Sequence, residues 1–489
     1  MATIGRVFMG TPESAAMMQP WISPAPLCYT GIPLGIDLRT RRIVYFDPWM
    51  LKRDGFINAT LFLVEGEKGG GKSTLMKSLG VRLSMMQAGI NPMNSEPQFM
   101  RVRVHDRKPE DGEPEYKRLT DFLHSQIVSL NRSASINLFD PAMKMDEADL
   151  LETAVNVCEM ASGQPLRGFP LLALQVGVYR MLTEFAEAAS PEILEHILRG
   201  LNSTDIGSYY WAHNERVAAQ LQTKFSSESP IVKALLGNVG HHNIPAQEFE
   251  RDAALVASYI GRILRGDFGH IFGGQESLRD MLSQPMVTFD WTGLNEKARS
   301  MLAAMMWKWQ TVALANNDLD LIPHISFRDE EHEAFRNLMY VRFMADSVTK
   351  ARAYHTAEFI STQDELKLTT SGEEGSEIRR LTESIRRGID TRFITRLPQD
   401  DAVLHHMSQL GISDLDLHML TRLPVGCFGL KVPDRPILFF QHILTPSEYP
   451  LIQTDSANTR MTVRTPVLST DELQRWVVQN GRTTIGEES

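Results

Sequence analysis

Residues 61–77 read LFLVEGEKGGGKSTLMK. The apolar run from Leu61 to Val64 has the length and residue types of a buried strand. A glycine-rich turn follows, and Lys72, Ser73 and Thr74 open a helical pattern. From Gly66 to Ser73 the chain fits G-x-x-x-x-G-K-[ST], the P-loop pattern. Glycines let successive backbone N–H groups curl round a phosphate, and the helix N-terminus adds a partial positive charge. In this reading Gly66, Glu67, Lys68, Gly69, Gly70, Gly71, Lys72, Ser73 and Thr74 hold a nucleoside triphosphate. Lys72 reaches its β- and γ-phosphates, and the Ser73 hydroxyl ligates Mg²⁺. A chance match in a chain this long has odds of roughly a few per cent. The strand before it and the helix after it lower those odds further. ATP and Mg²⁺ are therefore the expected ligands.

The rest of the composition sets bounds. The chain has 489 residues, with 43% hydrophobic and 22% charged, which is ordinary globular usage. That length suggests two or three domains. A net charge of −10 excludes a uniformly basic nucleic-acid coat but leaves room for a local basic channel. Cys28, Cys158 and Cys427 lie far apart with no C-x-x-C, so neither a disulfide framework nor a zinc site is indicated, and a reducing cytoplasm fits. The N-terminal residues lack the basic and apolar regions of a signal peptide. The longest apolar candidate, FPLLALQVGVY at 169–179, is too short to span a bilayer. Membrane association is then expected only through partners, at the inner face of the cell membrane.

Along the chain, residues 1–30 read as an N-terminal arm, without periodicity. Residues 31–48 read as a hairpin, and residues 31–189 as the first part of an α/β core containing the P-loop. From 190 to 283 the pattern is almost wholly helical, punctuated by Pro and Gly, which suggests an α-helical insertion. Strand–helix alternation resumes from 284 to 455, the second part of the core, and residues 456–489 form a polar tail. Such alternation predicts a central, mostly parallel sheet flanked by helices.

A P-loop enzyme also needs an acidic strand end for Mg²⁺ and a base for the attacking water. LIPHISFRDEEHEAF (321–335) offers both, with Asp329 in the Mg²⁺ shell and Glu330 as general base. The bland alternative is an acidic helix start. Ser326 and Arg328 make the preceding strand less apolar than usual. AEFISTQDEL (357–366) ends a strand at Gln363, which is placed to sense the γ-phosphate or simply to occupy a loop. In a ring of subunits an arginine can reach a neighbour's γ-phosphate. Arg352 and Arg392 lead the candidates, though most surface arginines do no such thing. HEAFR is not H-E-x-x-H, so no zinc-protease reading survives.

The order of these segments resembles the conjugative transfer and type IV secretion ATPases (the VirB/TraC type) of the FtsK–HerA P-loop superfamily. GIPLGID before the P-loop resembles that family's entry to its ATPase domain. VHDRKPEDGEPEYKRL resembles its D-P-x-G-E-Y segment, with Asp106, Glu113 and Tyr116 at the matching positions. INLFDP (136–141) resembles I-N-P-F-D. RGDFGHIFGG, VTFDWTGL, DEEHEAF, ISTQDEL and the stretch 405–436 follow in family order. The likeness covers about residues 30–450. It implies a RecA-like fold, a homohexameric ring or other homo-oligomer, type IV secretion or conjugation components as partners, and DNA or protein as the cargo. Family members usually carry a separate domain ahead of the ATPase core. With the P-loop starting at Gly66, that domain is expected to be missing or on another chain. Two other functions fit the same residues: a DNA translocase outside secretion, and an ATP-gated assembly scaffold with weak hydrolysis.

Overall fold

The computed structural model describes residues 27–90, 95–107, 109–110, 113–131, 134–222, 246–266, 269–273, 277–294, 296–315, 322–350, 356–363 and 375–452. Residues 1–26 of the expected N-terminal arm and the whole of the expected tail, 456–489, lie outside this set, as does Arg352. The strands that form the main sheet are β1 (Ile32–Asp37), β2 (Ile43–Phe46), β3 (Leu61–Glu65), β4 (Arg101–Asp106), β5 (Gln126–Ser129), β6 (Met286–Asp290), β7 (His324–Arg328), β8 (Thr356–Ser361), β9 (Thr391–Ile394), β10 (Cys427–Lys431) and β11 (Leu438–His442). They fall into two compact units. One is built from residues up to Met86 together with those from Ile389 onward, and the other from Gln87–Gly388.

In the first unit the strand order is β2-β1-β11-β10-β9-β3. Only the β9–β3 ladder is parallel; the others are antiparallel. The expected hairpin at 31–48 is present, with β1 paired to β2. The expected strand–helix alternation does not run to 455, because β10 and β11 are adjacent antiparallel strands with no helix between them. Leu61, Phe62, Leu63 and Val64 are all buried, and Phe46 meets Phe62 and Phe393 edge-on, with ring centroids 5.5 and 5.2 Å away. Burying each such side chain stabilises the fold by about 1.5–3 kcal/mol. The helix after β3, Lys72–Ser84, is tied to the segment after β11 by an Arg82–Glu448 ion pair at 2.6 Å.

In the second unit the order is β8-β7-β4-β6-β5, and every ladder is parallel. Helices Glu296–Ala315 and Leu338–Lys350 supply the crossovers that parallel pairing requires. Central parallel strands are covered on both faces, so even their polar residues are buried. His324, Ser326 and Arg328 on β7 are all buried.

The helical layer starts earlier than its sequence pattern suggests. Helices Glu147–Ser162 and Phe169–Glu184, read above as part of the core, share one apolar cluster with Pro191–Gly200 and Ala246–Arg265. The first of these shows why. Asp146 caps it by accepting from the Asp149 amide at 2.8 Å, and Gly163 ends it at φ 74°. Between them Leu150, Ala154, Val157 and Cys158 recur at helical spacing and are buried. That stripe faces other helices, so periodicity alone could not separate it from a helix laid on the sheet. All three cysteines are free and buried. No helix among the described residues is long and apolar enough to cross a membrane.

Candidate nucleotide site

The first unit carries the P-loop. β3 runs parallel to β9 with Val64 opposite Phe393 and Glu65 opposite Ile394. The loop leaves β3 at Gly66, whose φ is 131°, and Gly69 and Gly71 also have positive φ, at 80° and 99°. A side chain at Gly66 would put its Cβ 2.0 Å from Thr395 Oγ1 and 2.9 Å from the Arg396 carbonyl. One at Gly70 would meet Thr395 Oγ1 at 2.5 Å. Glycine is required here by both conformation and space. The loop is tied down by its own backbone: the Glu67 amide donates to the Arg396 carbonyl at 2.9 Å and the Gly70 amide to the Glu67 carbonyl at 3.2 Å.

Gly71 begins the helix with no side-chain cap. The first N–H groups of any helix lie outside its own hydrogen-bond ladder, and a helix start without a side-chain cap is suited to binding phosphate. Lys72 is buried, and its ammonium donates to the Gly66 carbonyl at 2.6 Å and the Glu67 carbonyl at 3.0 Å. Ser73 and Thr74 are half-buried in the same turn. A cramped glycine cradle, a lysine folded over it and an adjacent hydroxyl suit a triphosphate with Mg²⁺, a cation that takes oxygen ligands. Thr395, which forms the wall behind the loop, went unread in the sequence. Arg396, another arginine near this strand that could reach a neighbour's γ-phosphate, pairs with Glu67 at 2.8 Å.

The second unit carries the acidic strand end. β7 lies between β8 and β4, with Arg328 opposite Ile360 and His105. Asp329 follows, 2% exposed; its Oδ1 accepts from the Ser361 hydroxyl and, at 3.0 Å, from the Glu330 amide. Glu330 has φ 53°, in the left-handed region that side chains enter at a cost of about 1–2 kcal/mol. Gln363 Nε2 lies 3.5 and 3.4 Å from the two Glu330 carboxylate oxygens, the long edge of hydrogen bonding. The structure thus brings Asp329, Glu330 and Gln363 together. Glu330 also stands immediately before a short 3₁₀ helix, Glu331–Arg336, so the acidic pair sits at a helix start as well as at a strand end.

Behind this end lies a buried charge cluster. Glu331 is completely buried, 2.8 Å from Arg107 and 3.9 Å from Arg328, and accepts from the Tyr340 hydroxyl at 2.7 Å. Arg328 also bonds Gln310 at 3.1 Å, pairs with Glu358 at 3.3 Å and stacks over Trp307 at 4.0 Å. Burial pushes the Glu358 carboxyl up, against the pull of Arg328. Burial, with Arg328 adding to it, pushes His105 well below the ordinary histidine range. The signal for this cluster was present: arginines at 107 and 328, just after one strand and at the end of another, both already carrying polar residues. Their partners come from distant parts of the chain.

Of the segment matched to D-P-x-G-E-Y, Asp106 accepts the Tyr116 amide at 2.9 Å, and Tyr116 is buried. Burial, then the charges of Asp329, Glu115 and Asp106, raises the Tyr116 phenol well above its usual value. Arg392 is not on the surface. It is 6% exposed, and its Nη1 donates to the Ile389 carbonyl at 2.8 Å. A residue that reaches another subunit needs a free guanidinium, so in this conformation Arg392 serves its own strand.

Parallel strands, crossover helices and the P-loop define a RecA-like P-loop NTPase fold. Neither a family model nor a curated protein matches the sequence. Solved structures match the fold. VirB4 of Thermoanaerobacter pseudethanolicus superposes with a TM-score of 0.59 at 13% identity, over 87% of this chain and 100% of that one. The plasmid coupling protein TrwB, solved with a non-hydrolysable ATP analogue, gives 0.50 at 15% identity, over 85% and 96%. At such identities the likeness is one of fold.

Proposed function

We propose that this chain is an ATP-hydrolysing motor subunit of the kind that drives conjugation or type IV secretion. The observation that carries the reading is the P-loop: Gly66 and Gly70 pressed against Thr395, with Lys72 folded over the loop at an uncapped helix start. The fold shared with VirB4 and with nucleotide-bound TrwB supports it. In this proposal Lys72 holds the β- and γ-phosphates and the first-turn amides hold the phosphate oxygens. Ser73 and Asp329 hold Mg²⁺, which would offset phosphate charge. Glu330 takes the proton of the attacking water, and Gln363, beside it, responds to the γ-phosphate. Arg352 remains the candidate to act on a neighbouring subunit. A homo-oligomeric ring with secretion components as partners, and DNA or protein as cargo, completes the proposal.

The test is turnover. Purified protein with ATP and Mg²⁺ should release phosphate, and Lys72→Ala should abolish it. Glu330→Gln should trap ATP-bound oligomers. Binding without turnover, with or without DNA, would sink the motor reading and favour a nucleotide-gated scaffold. DNA-stimulated turnover without any association with secretion components would favour a translocase of another pathway.

A further inference from the structure

Glu331 follows the proposed base and has no role in the chemistry above. A fully buried carboxylate persists only where cations and donors hold it. Glu331 has three such partners, from three different elements. Arg107 leaves the end of β4, Arg328 ends β7, and Tyr340 lies on helix Leu338–Lys350. The guanidiniums are themselves fixed. Arg107 lies over Trp291 at 4.8 Å and Arg328 over Trp307 at 4.0 Å. Gln310 accepts from Arg328 and lies 3.0 Å from His105 Nε2, which extends the cluster into β4.

The backbone between the anchors is bent. Asp329 is held by Ser361, and Glu331 is held by the cluster. Glu330 alone between them takes the left-handed conformation, with φ 53°. Such a residue relaxes unless its surroundings over-determine it. We infer that Glu331 is a positioning residue: its ion cluster with Arg107 and Arg328, closed by Tyr340, fixes the turn that presents Glu330 beside Gln363. The positioning stands on the geometry; its effect on turnover rests on the ATPase reading.

The test uses the full chain. Glu331→Gln keeps the shape and can still bond Tyr340, but it loses the charge that holds Arg107. Its kcat should fall roughly tenfold or more, as for other groups that orient catalytic side chains. Its dissociation constant for ATP should stay within about twofold, since the P-loop is untouched. Backbone amide exchange over residues 329–337 should quicken. Tyr340→Phe, which removes one bond, should do the same to a smaller degree. If Glu331→Gln does not fold, Glu331→Gln with Arg107→Gln removes both charges and should fold yet still lose kcat. Unchanged kcat and unchanged exchange in a folded variant overturn the inference. So does a parallel loss of ATP affinity and kcat, which marks general damage. If the wild-type chain shows no turnover, the ATPase reading fails by itself. The exchange of 329–337 still decides whether Glu331 holds the turn.

Discussion

Around the P-loop, shape is carried by backbone: glycines at positive φ, carbonyls and amides of the loop itself, and Thr395 close behind. At the end of β7, shape is carried by buried charge: Arg107, Arg328, Glu331 and Glu358, drawn from the residue after β4, from β7, from the turn after it and from β8. Apart from Thr395 and Arg396, the first device is local in sequence. The second exists only once parallel strands from distant segments are in register. A change in the first should therefore cost ligand binding more than folding, and a change in the second should cost folding.

The largest expected effect lies in the charge cluster. Arg328→Ala leaves Glu331 and Glu358 short of a counter-ion, and breaking a buried pair costs about 3–5 kcal/mol. Chemical denaturation followed by tryptophan fluorescence reads it directly. A loss below about 1 kcal/mol, the range of surface ion pairs, would show that backbone holds this end as well. Gly66→Ala comes next. A side chain there meets Thr395 and the Arg396 carbonyl at a φ that disfavours it. ATP affinity by calorimetry should fall by at least ~100-fold, as when a preorganised donor is misplaced. Its cost in stability should stay within the about 1–3 kcal/mol of local overpacking.

A smaller effect separates backbone from side chain within the loop. At Gly70 the obstructing atoms are mainly those of Thr395, at 2.5 and 2.9 Å, and φ is not left-handed. Thr395→Ala should thus partly restore ATP binding to Gly70→Ala, with a coupling of about 1 kcal/mol. It should restore nothing to Gly66→Ala, because the Arg396 carbonyl and the φ requirement remain. Equal rescue of both would mean that side-chain crowding alone sets the loop.

The smallest effect is on pH. Burial first, then Arg82, holds His442 in the first unit down at about 3, and its Nε2 lies 3.1 Å from Ser78 Oγ on the P-loop helix. Its folded pKa lies below the unfolded value. Its contribution is thus complete above about 6.5 and is lost as pH falls from there toward 3. Burial likewise lowers His105 and His324 in the second unit, in the same sense. His442→Gln should flatten the acid dependence of amide exchange in helix Lys72–Ser84 between pH 6.5 and 3, and leave that of β4 and β7 unchanged.

The sequence was most legible where the constraint was shortest. Gly66 to Ser73 was readable because Gly66, Gly69 and Gly71 answer a demand of the loop's own path. β7 and Asp329–Glu330 were readable as a strand end, though Ser326 and Arg328 looked like faults in it. They are buried, and Arg328 is part of what holds that end. Ser361 was passed over in favour of Gln363 because a serine at a strand end is unremarkable until its hydroxyl meets Asp329. Arg392 read as a surface arginine because a polar residue in a four-residue strand gives no sign of which side is covered.

By itself, then, the sequence determined a P-loop turn, an α/β core, a helical layer and the acidic pair, since strand, turn and helix signals act over a few residues. Only the tertiary structure decided which helices form that layer, which side chain seats Asp329 and which charges fix Glu331. Those contacts depend on the register of β4, β7 and β8, where a one-residue slip turns every side chain to the other face.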